Sequence, residues 1–471
     1  MRSTTFRRTG ALVTAGAVAF AALAVNAGAA PAPIDRVLDQ PTQGRAALGQ
    51  IELDDVAQRN RLPEAQLLKT LASDKTAWLD TDGRLFFREP TAPAATRSEL
   101  SPRWAKKAVA AAEGPAFELH SKPGANRVIY LDFDGHTITG TAWNTDGKPA
   151  TVNVTPYDTD GNPAVFGTAE QDVVRDVWTR VAEDYAPFDV DVTTQAPPQA
   201  AIDRTDANDQ QFGTRVLIDP DTWYESGCGC GGVAYIGVYD TPGNHDYYQP
   251  ALVFTRGVGT GAKNLAEAAS HEAGHNIGLG HDGTASQGYY EGHGAWAPIM
   301  GVGYYRGISQ WSKGEYSGAS NPEDDFAVAG SHGLPLRADD HGNGTSTATV
   351  LTIGTPIAGV SATADDVDVF RVEIGAAGNY TANATAAAIG GNLDIKLDLL
   401  NSAGTVVGTN NPAAGQTDAG TPTGLNAAIT QNLQPGTYYL RVAGTGYGDP
   451  LSTGYTTYGS RGGFTLTVSK A

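Results

Sequence analysis

Apolar residues recur at helical spacing in two long stretches of the chain and alternate in many shorter ones. In "TAEQDVVRDVWTRVAEDYAPF" the residues Val174, Val177, Trp178, Val181 and Tyr185 share one face, which predicts a long amphipathic helix opened by a Thr168/Gln171 capping box. "KNLAEAASHEAGHNIGL" predicts a second helix, and "RVIYLDF", "FDVDVTT", "TRVLI", "GGVAYIGV" and "ALVF" are short strand candidates around the two. The order strand, helix, four strands, helix predicts an α+β domain: a mixed, twisted sheet with two long helices packed on it. After Pro335 the texture changes. "DVFRVEI", "NYTANATA", "LDIKLDLL", "GTYYLRVAG" and "GFTLTVS" alternate between Gly/Asn/Thr turns and predict an all-β sandwich of about eight strands.

The same texture divides the chain into four parts. Residues 1–30 read as an export signal: Arg2, Arg7 and Arg8 precede an apolar, Ala-rich run from Ala11 to Val25, and small residues close it. Residues 31–115 are polar, with a helical pattern in "DDVAQRNRLPEAQLLKTLASD" and a hairpin pattern around Asp82-Gly83 in "AWLDTDGRLFFRE". A small segment between a signal and a larger domain reads as a pro-region. The α+β domain occupies 116–335, and 336–471 holds a polar linker, "RADDHGNGTSTAT", followed by the sandwich. The linker makes the sandwich look like a separable accessory module. A secreted, extracellular protein is expected, without membrane insertion.

Charge and composition narrow the partners. The 471 residues carry a formal net charge of -19, which would be repelled by nucleic acid or an anionic membrane surface. The chain has two cysteines, Cys228 and Cys230, too few for a metal knuckle; in an oxidising compartment they are expected to form a small disulfide. "DTDGNP", from Asp158, has its glycine misplaced for an EF-hand and no glutamate at the twelfth place, so a turn is expected. Asp365, Asp366 and Asp368 read as a solvated turn, with calcium binding as the rarer alternative.

The chemistry concentrates in "SHEAGHNIGLGHDG", Ser270 to Gly283. Four residues make one helical turn, so His271 and His275 project side by side at a separation suited to one metal ion. Glu272 is rotated away from both, placed to act on a water beside the metal without ligating it. Gly278 can adopt the left-handed conformation that ends the helix and brings His281 back over the metal. Three neutral imidazoles leave a fourth position open, the arrangement of a catalytic Zn²⁺ rather than a structural one.

The full H-E-x-x-H-x-x-G-x-x-H pattern, followed by Asp282, resembles the metzincin zinc metalloproteases and their reprolysin-type branch. That resemblance implies a methionine turn beneath the ligands, for which Met300 in "WAPIMGVGYY" is the sole internal methionine. It also implies that Gly231 to Val238 is an antiparallel edge strand that holds the substrate, with Gly232, Val233, Ala234 and Tyr235 at its centre. A helix is implied near Asn321 to Ala329. Asp282 and Gly278 are expected to hold the turn, or a ligand, in place. Val302 stands where some relatives have a ligating tyrosine, so Tyr304 and Tyr305 are not assigned that role. "YLDFDGHTITGTAWN" and "QWSKGEYSGASNPEDDFA" resemble secreted bacterial metalloproteases. "DDVDVFRVEI" and "LQPGTYYLRV" resemble the bacterial pre-peptidase C-terminal (PPC) domain, a candidate binder of an extracellular polymer or surface.

The function these features imply is zinc-dependent hydrolysis of peptide bonds in protein or peptide substrates. The alternative is a secreted adhesion protein with a structural zinc and a ligand-binding sandwich. No cysteine precedes Cys228, so a thiol cannot keep a precursor latent. Latency would need a carboxylate or histidine on the metal, or steric filling of the cleft. The candidate acids are Asp54, Asp55, Asp74, Asp80, Asp82 and Glu89, and a strand lying on Gly231 to Val238 without metal contact is the favoured form.

Overall fold

The computed structural model describes residues 36–97, 116–224 and 228–470; the export signal read at 1–30 lies outside them. The N-terminal segment contributes β1 (Thr42–Gln43), α1 (Gly44–Ala47), α2 (Leu53–Arg59), α3 (Glu64–Ser73), β2 (Ala77–Leu79) and β3 (Leu85–Pro90). Next come β4 (Arg127–Asp132), a hairpin of β5 (His136–Thr139) and β6 (Thr151–Val154), and α4 (Thr168–Asp184). Then β7 (Asp191–Thr193), α5 (Gln199–Ile202), β8 (Phe212–Asp219), β9 (Cys230–Tyr235) and β10 (Ala251–Phe254) lead into α6 (Thr255–Val258) and α7 (Ala262–Ile277). A short parallel pair, β11 (Trp296–Pro298) and β12 (Ile308–Gln310), and α8 (Asp325–Ser331) close this part.

One sheet runs in the order β1-β2-β3-β9-β10-β8-β4-β7. β7, β4, β8 and β10 are parallel, while β9 is antiparallel to β10. The expected mixed sheet is therefore present, but β9 is not its edge. β3 of the N-terminal segment pairs antiparallel with β9, placing Phe87 opposite Ala234 and Glu89 opposite Gly232. The Asp82-Gly83 turn joins β2 to β3, with Gly83 in the left-handed region at φ +76°.

α4 and α7 pack on one face of this sheet. Val174, Val177, Val181 and Tyr185 are buried with Leu265, Ala269, Ala273 and Ile277 in one core, as the helical periodicity requires. The cap of α4 differs from the Thr168/Gln171 box. Gly167 is the N-cap residue, and its amide donates to Glu170 Oε2 at 2.8 Å. The same carboxylate accepts from the Thr159 amide at 2.7 Å, so the loop before the helix selects the capping acid. α8 falls a few residues later than the resemblance implied, because Asp324 caps it by accepting from the Ala327 amide at 3.0 Å.

The C-terminal part is a sandwich of nine strands. Thr349–Val350, Val367–Ile374, Gly436–Gly444, Ile395–Leu400 and Val406–Asn410 form one sheet; Ile357–Ser361, Gly462–Lys470, Gly378–Ala386 and Ala427–Leu433 form the other. Its hydrophobic cluster takes in Trp296, Ile308 and Tyr316 from the preceding domain, while Tyr458 joins the core under α4 and α7. Polar groups also interlock here. Glu183 accepts from the Gly463 amide at 3.2 Å, and Asp184 from Asn392 Nδ2 at 2.7 Å.

This junction carries a pH signature. Burial, with the Asp184 charge adding to it, pushes Glu183 up to about 8, against the amides of Gly463 and Asn392. The unfolded chain loses this proton near the ordinary carboxylate range, whereas the folded chain keeps it up to about pH 8. Stability at this site therefore falls as pH rises through that window, by at most about 1.4 kcal/mol per pH unit. Thermal unfolding from pH 5 to 8 is expected to show a shallower decline in Glu183→Gln than in the unaltered chain. Superimposable profiles would remove the assignment.

Candidate metal centre

α7 is buried along nearly its whole length, and it places His271 and His275 one turn apart on the face toward β9 and the Met300 turn. The helix ends where the sequence predicts. Gly278 adopts φ +114°, its amide and that of Leu279 bond back to Gly274 O, and a Cβ at 278 would come within 2.7 Å of the His332 ring. The reversed chain carries His281 to within 3.0 Å of His275, Nε2 to Nε2.

Each ring is fixed through its other nitrogen. His271 Nδ1 lies 2.9 Å from Ile299 O, His275 Nδ1 2.8 Å from Leu279 O, and His281 Nδ1 2.6 Å from Asp74 Oδ2. Nδ1–H donation to these acceptors leaves the Nε2 lone pairs turned toward a common point. Two such lone pairs at 3.0 Å repel unless a proton or a cation lies between them. His271 Nε2 is moreover a buried nitrogen without a hydrogen-bond partner. The donor set fits a divalent ion such as Zn²⁺.

Met300 is fully buried beneath the three histidines. A Cβ on Gly274 would stand 2.6 Å from its Sδ, so the glycine between the two helical histidines lets the methionine turn approach. Glu272 is 1% exposed, and its Oε2 has no partner. It lies against β9 at Gly232, where a Cβ would overlap the carboxylate. Burial, and then the charge of Glu89, pushes the Glu272 carboxyl well above the ordinary carboxylate range.

Glu89 is the residue whose place the sequence left open. Its Oε1 lies 3.1 Å from His281 Nε2 and 3.4 Å from His275 Nε2, and its Oε2 3.5 Å from His271 Nε2. One atom from each of these four residues falls within 4.8 Å of all the others. The N-terminal strand thus does both things treated above as alternatives: it pairs with β9 and it brings a carboxylate to the histidines. Burial works against the Glu89 charge, but the His281 charge and the close approach of the three histidines hold its carboxyl well below the usual range. His281, between Glu89 and Asp74, is raised to about 10 despite burial, while burial lowers His275 to about 4.

Phe87 and Glu89, two residues apart, face the same side of their strand, and the Phe87 ring packs 4.5 Å from the His275 ring. That spacing is the sequence signal that could have singled out Glu89. Tyr289 was not anticipated: its ring lies 4.2 Å from that of His281, and its hydroxyl donates to Thr76 Oγ1 at 2.7 Å. A cleft beside Glu272 is lined by Tyr289, Val302, Tyr304 and Glu267.

Asp282 holds the turn and has no hydrogen bond to the three histidine rings. Its Oδ1 accepts from the Tyr316 hydroxyl at 3.3 Å, and its amide donates to Met300 O at 2.8 Å. The partner of His281 is Asp74 instead. Cys228 and Cys230 are joined as a disulfide, with Gly229 between them at φ +59°. Asp158 makes the expected turn, accepting from the amides of Asp160, Gly161 and Asn162. Asp366 and Asp368 depart from a solvated turn: both are buried and come together with Asp339, while Asp365 stays exposed.

Residues 185–282 match the family described as Metallo-peptidase family M12B, Reprolysin-like. The chain carries a reprolysin-like metallopeptidase domain. Residues 366–444 of the same chain match the bacterial pre-peptidase C-terminal domain, so the metallopeptidase domain is followed by a β-rich PPC domain. Among solved structures, the chain is similar to the pre-peptidase C-terminal domain of a collagenase from Bacillus anthracis. The two are 17% identical over 28% of this chain and 97% of that one, with a TM-score of 0.19. PliG, a periplasmic lysozyme inhibitor from Aeromonas hydrophila, is 14% identical over 26% of this chain and 98% of its own, with a TM-score of 0.16. No curated protein matches the chain.

Proposed function

We propose that this metallopeptidase domain is a secreted zinc endopeptidase in which His271, His275 and His281 hold the metal and Glu272 is the general base. The observation that carries the reading is the convergence of three Nε2 atoms beside a buried carboxylate that is not among the four converging groups. A structural site has no use for such a carboxylate. Zinc bound there would lower the pKa of water to about 7 and polarise the scissile carbonyl. Glu272 would then take the proton of the attacking water and deliver it to the departing amine nitrogen. Its environment supports that role: burial raises its proton affinity. Substrate would lie along β9, where the backbone of Gly232 to Tyr235 offers strand hydrogen bonds once β3 is displaced.

The test is metal-dependent hydrolysis. Purified chain freed of its N-terminal segment by limited proteolysis is expected to cleave casein, to stop when a zinc chelator is added, and to resume when zinc is returned. Cleavage indifferent to the chelator, or a zinc-loaded protein inert on casein and short peptides, would defeat the reading.

A further inference from the structure

The N-terminal segment touches the centre at two points that serve different purposes. β3 delivers Glu89 to the space between the three Nε2 atoms, within 3.1–3.5 Å of each. The end of α3 delivers Asp74 to the far side of His281, at 2.6 Å from Nδ1. Neither placement depends on a flexible side chain alone. Glu89 is held in register by the β3–β9 ladder, and Phe87 on the same face is packed against the His275 and His281 rings. Asp74 is braced by the Thr76 amide and hydroxyl, and the Thr76 hydroxyl also accepts from Tyr289.

The segment is anchored well away from the centre too. Arg61 pairs with Asp240 at 2.6 Å, Lys69 Nζ reaches Ser320 O at 2.5 Å, and the α2–α3 core closes over Ile236 of the sheet. A carboxylate held this way has a high effective concentration at the metal position, because little freedom remains to be lost when it ligates.

We propose that the N-terminal segment is a two-point clamp on the metal centre, in which the Glu89 carboxylate fills the open fourth position and Asp74 orients His281 for the metal. The proposal rests on the protease reading and adds its regulation. Loss of the segment removes the fourth ligand and the partner of His281 together. The released enzyme has an open coordination position and holds its metal less tightly than the precursor. Glu89 is a blocking ligand, and Asp74 is a positioning residue acting through His281.

The test uses the full precursor in a Glu272→Ala background, which prevents self-cleavage, loaded with Co²⁺ so that the visible spectrum reports coordination. Acetohydroxamate, a small metal-directed ligand, is titrated in. A latch closed about 99% of the time lowers apparent affinity about 100-fold, so Glu89→Ala is expected to bind hydroxamate about 100-fold more tightly than the Glu89 precursor. Glu89→Gln keeps the strand and the side-chain volume and is expected to gain at least about tenfold. Asp74→Asn, with Glu89 intact, is expected to lower Co²⁺ affinity by about 10–100-fold. Unfolding midpoints and near-ultraviolet circular dichroism verify that each variant is folded.

If the Glu89 precursor already binds hydroxamate as tightly as its variants, or if alanine opens the site and glutamine does not, the carboxylate is not the latch. Unchanged Co²⁺ affinity in Asp74→Asn removes the second point of the clamp. A precursor that takes up no Co²⁺, or takes it up equally after His271→Ala, fails at the metal reading itself. Co²⁺ bound through the histidines with no response to Glu89 leaves the protease reading standing and overturns the clamp alone.

Discussion

Glu272→Ala in chain freed of its N-terminal segment is expected to retain about one zinc per chain while losing 10³-fold or more in turnover, as an order of magnitude. Loss of a general base alone costs roughly 10²–10⁴-fold, and loss of the group that orients the attacking water adds to it. Metal retention follows from the geometry. Glu272 is not one of the four residues whose ligand atoms come within 4.8 Å of one another, and His271 and His275 are held by acceptors other than Glu272. The alanine leaves a small space against Gly232. Metal content by elemental analysis, together with kcat on a short peptide, separates the two effects. Proteolysis near the unaltered rate in a metal-loaded preparation, or loss of zinc along with activity, would deny Glu272 the role of a non-ligating base.

The second large effect is expected from removing the sandwich. The polar linker makes a chain ending at Leu336 look self-sufficient, yet the packing argues otherwise. Trp296, Ile308 and Tyr316 are buried in the hydrophobic cluster of the sandwich, and Tyr458 returns the contact into the core below α7. The Arg461 guanidinium lies 3.5 Å over the Phe326 ring, and the Tyr458 hydroxyl bonds Asp324 at 2.7 Å. On truncation the polar groups of this junction regain water, so their loss costs little. The apolar ones do not recover: each large side chain left exposed forfeits about 1.5–3 kcal/mol. Three of them approach the whole stability of an ordinary domain, about 5–15 kcal/mol. The strand pair Trp296–Pro298 and Ile308–Gln310 flanks Met300, so this damage reaches the ligands. A chain stopped at Leu336 is expected to unfold at a much lower temperature, to take up zinc poorly, and to show little peptide cleavage. A truncated chain with an unaltered midpoint and full activity on peptides would show that the sandwich is an appendage after all.

What the sequence determined by itself is what short-range geometry fixes. His271 and His275 are adjacent because four residues make a helical turn, and His281 returns because Gly278 can reverse the chain without a Cβ penalty. The amphipathic face of α4 and the Asp82-Gly83 hairpin are local in the same sense. Asp74 and Glu89 stood undistinguished among six candidate acids and Tyr289 was not singled out, since their approach depends on which strand pairs with β9 and in which register. A slip of one residue would turn Glu89 to the opposite face of β3. The cap of α4 passed to Gly167 and Glu170 because the preceding loop folds back onto the helix. Asp282 bonds to Tyr316, and the His281 ring is held instead by Asp74 from another part of the chain. The burial of Asp366 and Asp368, and the welding of the sandwich to α4, were equally invisible. Sequence spacing constrains the residues of one turn, whereas which surfaces meet is decided by the apolar area and hydrogen bonds that the whole chain can satisfy at once.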